Sequence, residues 1–260
     1  SIDQLKQTIL QLAVMGKLTF PCSDDTSVLN LIEKIYEERI LYKNNSKEKE
    51  ILEREFERAS ASIIKNRAEV KARFFCNFIT KGTTPAKNEL LEEEEIPFLK
   101  VYNIVNQKLD FNYKPTFISP DTHNKKLARS KAFPGDVIMN IVGPPLGKVA
   151  IITSQFPEWN MNQALAVYRP VGGVLSKYLY YTLSARVTLE SVLKEVKGTA
   201  GQDNLSLEQC RELIITLPSI EEQNRIVAKL EELMAICDTL KKHISETEAT
   251  QLHLADAMAE

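Results

Sequence analysis

The chain has few of the residue patterns from which enzymes build reactive centres. Its 260 residues include four cysteines and three histidines, and these form neither a C-x-x-C pair nor an H-E-x-x-H motif. Such spacings argue against a zinc ribbon and against a zinc-protease site. The G-x-x-x-x-G-K-[ST] loop that binds ATP is absent too, and no glycine-rich loop follows a strand. The sequence therefore predicts no metal and no other cofactor.

Long apolar runs are missing as well. No stretch approaches the ~18 consecutive apolar residues that cross a bilayer. Residues 1–4 have neither the basic nor the apolar part of a secretory signal, and the four cysteines are too scattered for a disulfide framework. With 43% hydrophobic and 26% charged residues, the composition is that of an ordinary globular protein. We therefore expect a cytoplasmic location with reduced thiols.

A strong net charge is also lacking, but the charges are distributed unevenly. The formal net charge is −2. Residues 1–73 carry 13 basic and 12 acidic groups, residues 74–218 carry 16 and 14, and residues 219–260 carry 4 and 9. Residues 100–148 alone hold 8 basic and 3 acidic groups. A locally basic region suits a phosphate backbone, although a solvated surface has the same composition.

A heptad pattern dominates the C-terminal region. Its seam, in alternating steps of four and three, consists of Ile226, Leu230, Leu233, Cys237, Leu240, Ile244, Thr247, Gln251, Leu254 and Met258. Ser219 and Glu222 have the spacing of a capping box, in which the Ser219 hydroxyl accepts an N–H and Glu222 reaches back. We predict one helix over about 219–257, roughly 58 Å long at ~1.5 Å per residue. Such a helix needs a partner helix to cover its apolar stripe.

The N-terminal region has the same pattern on a smaller scale. A short helix with Gly16 at its end is predicted to pack on the C-terminal helix, in the same chain or in a second copy. A second amphipathic helix is expected over about 27–42, and a charged helical stretch over 47–73. The residues predicted to pair the helices are Ile2, Leu5, Ile9, Leu12, Ile226, Leu230, Leu233, Leu240, Ile244 and Leu254.

The middle of the chain changes to β-rich segments separated by Gly, Pro and Asn. Strand-like runs occur at 97–105, 136–142, 149–153 and 164–169, and a helical stretch at 175–194 interrupts them. The expected fold class is therefore α+β. One β-rich mixed domain, residues 74–218, is flanked by N-terminal helices at 1–73 and by a long C-terminal coiled-coil helix at 219–260.

Signals for catalysis are weak in this middle region. An adenine methyltransferase needs an Asn-Pro-Pro-aromatic motif to hold a flipped base, and the closest string, residues 143–146, lacks the Asn and the aromatic residue. We expect a hairpin turn there instead. Asp110, Asp121 and Asp136 lack the spacing of a nuclease site. A stand-alone methyltransferase or nuclease is thus disfavoured, and we expect that the chain is not an enzyme.

The middle region does contain the chemistry of DNA recognition. Asn, Gln, Arg and Lys read base edges, while Lys, Ser and Thr bind phosphates. Such residues cluster in its turns, although each turn alone would suit a solvated surface. The candidate DNA-binding residues are Lys81, Thr83, Thr84, Lys100, Tyr102, Asn103, Asn106, Lys108, Lys125, Lys126, Arg129, Lys131, Lys148, Asn160, Asn162, Gln163, Gln202 and Asn204.

Several segments resemble the HsdS-type specificity subunits of Type I restriction–modification systems. Residues 5–18 (LKQTILQLAVMGKL) are similar to a recurring stretch of that family, and residues 27–39 to the helix that follows it. Residues 134–139 together with 147–150 resemble the family's G-D-[IV]…G-K-x-[AG] strand pair. These matches occur in the order that the family has.

The resemblance continues into the C-terminal region. The Gln202-x-Asn204-Leu205-Ser206 string, residues 217–218 and residues 222–227 are similar to the family's passage from recognition domain to conserved helix. The matches span nearly the whole chain, and together they are specific.

The resemblance implies a function in DNA recognition. In that family, two target-recognition domains are held apart by two antiparallel conserved helices, and each reads one half of a split site. A chain with one such domain would be the C-terminal half of a subunit, or a half-subunit that pairs with itself. The implied partners are double-stranded DNA, HsdM-type methyltransferase subunits and HsdR-type translocating nuclease subunits. The long helix would set a distance of about 17 base pairs, from ~58 Å at ~3.4 Å per base pair.

A second class of function stays open from the residues alone. The chain could be a coiled-coil interaction adaptor without direct DNA contact. That hypothesis predicts that charge reversal at Lys125, Lys126 and Arg129 leaves DNA binding by the complex unchanged.

Overall fold

Helices begin and end the chain, and short strands lie between them. A computed structural model describes residues 1–143, 146–193 and 204–259, except for the side chains of residues 191 and 252–259. The helices are α1 (Ile2–Val14), α2 (Val28–Ile40), α3 (Ser46–Ala61), α4 (Ala72–Phe75), α5 (Ser176–Ser184), α6 (Arg186–Leu193), α7 (Leu207–Glu212) and α8 (Ile220–Ala259). The strands are β1 (Arg67–Lys71), β2 (Cys76–Lys81), β3 (Ile96–Leu99), β4 (Ile104–Val105), β5 (Lys108–Leu109), β6 (Phe117–Ile118), β7 (Val137–Asn140), β8 (Val149–Ile151), β9 (Asn160–Met161), β10 (Leu165–Pro170) and β11 (Ile214–Pro218). The predicted α+β class is confirmed.

The two N-terminal helices form where the sequence predicts them. Ser1 and Gln4 make a capping box at the start of α1, and Ser27 accepts the N–H of Leu29 at 3.2 Å at the start of α2. Gly16 ends the first helical segment with a φ of +67°, and a Cβ there would lie 2.1 Å from Nη1 of Arg67. A glycine is therefore required both by the backbone and by the close approach of that guanidinium.

The charged helix predicted over 47–73 is wrong in its second half. Helix α3 ends at Ala61, and Lys65 and Asn66 both adopt positive φ, which forms a tight turn. The chain then forms β1, which pairs antiparallel with β11 just before the long helix. Ala68 and Val70 are buried at alternate positions of β1. The long-range pairing with β11 overrides the helical propensity of this charged segment.

Three further small sheets form the middle of the chain. Their strand orders are β2-β10-β7-β8, β6-β3-β9 and β4-β5. The predicted run 97–105 divides into β3 and β4, because Asn103 accepts the N–H of Lys100 at 2.9 Å and closes a helical turn between them. The helix predicted over 175–194 is also divided, at Ala185, whose backbone is extended. Residues beyond 193 in that prediction lie outside the described residues.

The largest core joins the terminal helices to the sheets. It includes Ile32 of α2, Phe74 of α4, Tyr168 of β10 and Leu230 of α8, all of which are buried. A second core lies wholly between the sheets. There the rings of Phe111, Phe156 and Trp159 pack edge to face, with centroid–centroid distances of 5.1 to 5.7 Å. Because they share a core, the first 73 residues and the β-rich region support each other.

The start of α8 is held by a buried ion pair that the sequence did not indicate. Ser219 accepts the N–H of Glu222 at 3.2 Å, as predicted. The return half of the capping box is not formed, because the buried Glu222 carboxylate instead binds the Arg67 guanidinium, with Nε 3.1 Å away, and accepts the Thr19 hydroxyl at 2.9 Å. This pair connects the long helix to β1 and to the loop after α1.

Helix α1 packs antiparallel against α8 within the same chain. Lys6 forms an ion pair with Asp238, and Lys241 lies 2.9 Å from Asp3. The predicted pairing residues Ile9, Ile226 and Leu230 are buried, and Ile2 and Leu233 are partly buried. The seam is otherwise incomplete in one chain, because Leu5, Leu12, Leu240 and Ile244 are exposed and the side chain of Leu254 lies outside the described part. The buried face of α1 includes Leu10 and Ala13 instead.

The C-terminal part of α8 is exposed to solvent. Residues 238–251 are all exposed, although the apolar seam continues through them with Leu240 42% and Ile244 48% exposed. None of the helices in the described ranges has both the length and the hydrophobicity that a bilayer crossing requires.

Candidate nucleic-acid interface

Three of the predicted polar loops meet beside the end of β3. The Thr83 N–H donates to the Met161 carbonyl at 3.1 Å, and the Asn162 N–H donates to the Leu99 carbonyl at 3.0 Å. The Thr84 hydroxyl donates to Oε1 of Gln163. These bonds bring together Lys81–Thr84, Lys100–Tyr102 and Asn162–Gln163, which we call the recognition loops.

Gly82 allows this close approach. A Cβ at position 82 would lie 2.1 Å from the Met161 carbonyl oxygen and 2.2 Å from that of Asn162. Any side chain there would separate the first recognition loop from the third. Of the polar side chains in these loops, Lys81, Thr84 and Gln163 are exposed, while Thr83, Lys100, Tyr102 and Asn162 are partly exposed.

Two tyrosines and two lysines form a surface next to these loops. The rings of Tyr102 and Tyr113 meet edge to face at 6.0 Å between centroids. The Lys100 ammonium lies 5.7 Å from the Tyr102 centroid, and the Lys114 ammonium lies 5.2 Å from that of Tyr113. Tyr113 is 47% exposed, and it is not among the residues predicted from the sequence. Its only sequence signal was its place before a basic residue in a polar turn.

Asn103 positions this surface and is not part of it. Its side chain is buried, and Nδ2 donates to the Tyr113 carbonyl at 2.9 Å while Oδ1 accepts the Lys100 N–H. One amide thus ties both lysine-bearing segments together. The prediction that Asn103 contacts DNA is therefore corrected to a positioning role.

The β4–β5 turn carries a second group of candidates. Asn106 and Gln107 both have positive φ, as a two-residue hairpin requires. Oε1 of Gln107 accepts the Val149 N–H at 2.6 Å, so Asn106 and Lys108 lie exposed near Lys148, which is partly exposed. Asn204 is also exposed and pairs with Val142. Gln202 lies outside the described residues.

The predicted basic patch at 125–131 is largely neutralised. Lys125 lies 2.5 Å from Asp121, Lys126 lies 2.6 Å from Glu89, and Lys131 lies 3.1 Å from Glu158. Over the described ranges, Arg129 is the one member of the patch without an ion pair. Three of the four cations already form an ion pair with a carboxylate, so they are weaker candidates for phosphate binding.

Asn160 lies beneath this patch in a buried polar network. It is 0% exposed, its Nδ2 donates to the Leu127 carbonyl at 3.1 Å, and its Oδ1 accepts the Ser130 hydroxyl at 2.9 Å. His123 is buried beside it, and its Nε2 lies 2.7 Å from Glu158. Burial lowers the pKa of His123, and the hydrogen bond to Glu158 opposes that shift. Asn160 cannot reach a base edge, so the prediction that it binds DNA is corrected.

The aspartates considered for a nuclease site are each engaged locally. Asp110 accepts the Asn112 N–H at 3.1 Å, Asp121 pairs with Lys125, and Asp136 binds the Arg169 guanidinium at 2.8 and 2.7 Å. Among the residues described, no group of three His, Cys, Asp or Glu side chains is placed to hold a metal ion. Pro144 and Pro145 of the predicted hairpin turn lie outside those residues.

Comparison with known proteins connects this chain to one family. A family model described as the Type I restriction modification DNA specificity domain matches residues 69–248. The chain is 27% identical over its whole length to the specificity subunits of the Escherichia coli Type I restriction enzymes EcoEI and EcoAI, and it covers 45% and 44% of them. It thus spans about half the length of these curated relatives.

Solved structures show the same fold. The HsdS subunit from Thermoanaerobacter tengcongensis superposes with a TM-score of 0.54 at 21% identity, over 85% of this chain and 52% of that one. A chain from a study of complex assembly and conformational transition of the type I R-M system gives a TM-score of 0.59, also at 21% identity, over 87% of this chain and 54% of that one.

Proposed function

Because this chain belongs to the Type I restriction–modification DNA specificity family, we propose that it reads one half of a bipartite duplex DNA site for such a complex. The function is sequence-specific recognition, and the chain itself performs no catalysis. It acts in the cytoplasm, where it directs methyltransferase and translocating nuclease subunits to the site. The β-rich region, residues 74–218, selects the bases, and the helices at 1–73 and 219–260 supply spacing and docking.

The observation that carries this proposal is the convergence of the recognition loops with the Tyr102–Tyr113 surface. Lys100 and Lys114 lie over exposed or partly exposed rings and have no carboxylate partner among the described residues. They are thus free to neutralise phosphates, and unpaired cations next to a duplex release its counterions. The aromatic rings add a surface that packs against sugar or base.

Amide and hydroxyl groups in the same loops supply discrimination. The Gln163 side chain accepts a hydrogen bond from Thr84, which fixes its orientation and leaves its NH₂ group to donate to a base. Gln and Asn amides pair with adenine edges in the major groove, where each bidentate pair contributes about 1–3 kcal/mol of discrimination. The Thr84 hydroxyl occupies one of the two lone pairs of the Gln163 carbonyl oxygen, so the amide keeps one acceptor position and its NH₂ donors for a base edge.

The helices explain how two such readers would be spaced. At ~1.5 Å per residue, the 40 residues of α8 span about 60 Å, or roughly 18 base pairs at ~3.4 Å each. The exposed apolar residues Leu240 and Ile244 continue the seam past the part that α1 buries. We propose that a second α1–α8 pair, from another half of a subunit or from a second copy, covers them. Methyltransferase subunits dock on the helices and the recognition region.

The test is DNA binding by the chain assembled with its methyltransferase partner. The Lys100→Gln/Lys114→Gln variant should lose about tenfold in affinity per lost contact at ~0.1 M salt, and the slope of log K against log salt should flatten by about 0.9 per contact. The control is Lys49→Gln, an exposed lysine on α3. Equal affinities and slopes for the variant and the control would refute the proposal and favour an adaptor without DNA contact.

A further inference from the structure

A cavity of about 600 Å³ lies between α2 and α3 on one side and β2 and α7 on the other. Its volume falls in the range of about 300–1,000 Å³ that is typical of sites for small molecules. The helices line it with Arg39, Ile51 and Leu52, and β2 lines it from Cys76 to Thr80. It therefore lies where the helical region meets the β-rich region.

The cavity has more positive than negative charge. Five basic and three acidic side chains line it. Every acid is already engaged: Glu48 lies 2.9 Å from Lys43, Glu55 lies 2.9 Å from Lys71 outside the lining, and Glu208 pairs with Arg73. Two cations remain without an ion pair within the described part of the chain. They are Arg39 and Arg129.

Arg39 is the unusual member of this pair. It is only 9% exposed, and its Nη1 donates to the backbone carbonyls of Arg73 and Phe74, the latter at 2.6 Å. Its buried Nε has no partner, and neither has the buried Nε of Arg73 beside it. Burial lowers the pKa of Arg39, which shows that its surroundings disfavour the charge. A buried guanidinium without a counter-ion is costly, so an anion at this position would stabilise it.

We propose that this cavity binds a free, phosphate-bearing small molecule of about nucleotide size. Guanidinium groups bind phosphate oxygens through charge-assisted and often paired hydrogen bonds, and Arg39, Arg73 and Arg129 provide them here. Ile51, Leu52 and Ile79 supply an apolar wall for the remainder of the molecule. Such a site does not need the glycine-rich loop that the sequence lacks, since side chains rather than backbone N–H groups hold the phosphate.

This ligand would bridge the helical and β-rich regions. Arg39 belongs to α2, whereas Arg129 belongs to the turn after the 122–126 segment. A molecule bound to both should raise the stability of the junction between them. The inference stands independently of DNA reading, because it rests on the cavity and not on the recognition loops.

The test is a titration of the purified chain with pyrophosphate and with ADP, followed by melting temperature and by calorimetry. Adenosine serves as the ligand without phosphate, and a short DNA duplex as the alternative source of phosphate. We expect a rise in Tm that grows with the concentration of pyrophosphate or ADP, and no rise with adenosine. The proposal is overturned if neither phosphate compound binds, or if only the duplex does.

Two variants and a control test whether the ligand binds in the cavity. Arg129→Gln alters an exposed residue and should weaken ADP binding about tenfold, the amount expected for one charge-assisted hydrogen bond. Arg39→Lys keeps the charge but removes the paired donors, and should weaken binding by at least as much. Arg186→Gln, whose side chain is 83% exposed on α6, is the control that should bind normally. If Arg129→Gln binds ADP as tightly as this control does, the assignment to the cavity is wrong.

Discussion

The surface formed by Lys100, Tyr102, Tyr113 and Lys114 and the patch at 125–131 are both basic in sequence, yet they differ in the partners of their lysines. Lys100 and Lys114 lie over tyrosine rings, whereas Lys125 and Lys126 each lie within 2.6 Å of a carboxylate. The first pair is available to a phosphate, and the second would have to exchange one anion for another. The number of lysines in a segment therefore does not determine its attraction for DNA. What matters is whether those lysines are already paired with carboxylates.

The two regions also differ beneath the surface. Asn103 connects the segments that bear Lys100 and Lys114, while the patch covers the buried network of His123, Asn160 and Ser130. Amide side chains therefore have different roles in the interior and at the surface. The exposed Gln163 is a candidate reader, and the buried Asn160 is a structural element.

The largest effect that sharpens this comparison is expected for Asn160→Ala. The change removes the buried hydrogen bonds that the Asn160 side chain makes with the Ser130 hydroxyl, the Leu127 carbonyl and Nδ1 of His123, so we expect the free energy of unfolding to fall by about 2–4 kcal/mol. Denaturant unfolding would measure it. The matched change on the other surface, Gln163→Ala, should alter stability by less than about 0.5 kcal/mol but change the DNA site that is read. If instead Gln163→Ala lost stability and Asn160→Ala changed the DNA site, the comparison would be wrong.

An intermediate effect is expected from the titration of His123, which is buried beneath the patch. His123 has a lowered pKa in the folded protein because it is buried, so the unfolded chain takes up its proton first as the pH falls. Stability should therefore decrease as the pH drops below about 6.5, with a slope of at most about 1.4 kcal/mol per pH unit. Unfolding curves between pH 5 and 7 would measure the slope. The variant His123→Gln should flatten it, and an unchanged slope in that variant would show that another group titrates.

The smallest effect is expected for Lys125→Gln/Lys126→Gln. Both lysines are exposed and ion-paired, and exposed pairs contribute about 0–1 kcal/mol. DNA binding by the complex should thus weaken far less than in the Lys100→Gln/Lys114→Gln variant, by about threefold or less. Affinity at several salt concentrations would compare the two variants. A loss as large as that of the Lys100→Gln/Lys114→Gln variant would mean that the patch exchanges its carboxylates for phosphates.

Periodic features could be predicted from the sequence, and long-range partners could not. The heptad steps indicated α8, and Ser27 and Gly16 marked helix ends, because these signals are local. Strand β1 was missed because its partner β11 lies about 150 residues away along the chain. Glu222 was assigned to a cap since nothing in the sequence placed Arg67 beside it.

The candidate site shows the same limit. The residue types in the recognition loops could be predicted, since fork-like and basic side chains carry recognition chemistry. The burial of each side chain could not be predicted, so the buried Asn103 and Asn160 were grouped with the exposed Gln163. Tyr113 was missed because its value comes from its contact with Tyr102, which only the folded chain brings to it.

The most direct test of the central claim is to map methylated positions in a genome that carries this system, before and after residues 74–218 are replaced by the corresponding region of a related specificity subunit. If this region selects bases while the helices set distance, one half of the bipartite site should change and the spacing between the halves should stay the same. An unchanged recognition site after the replacement would contradict the account.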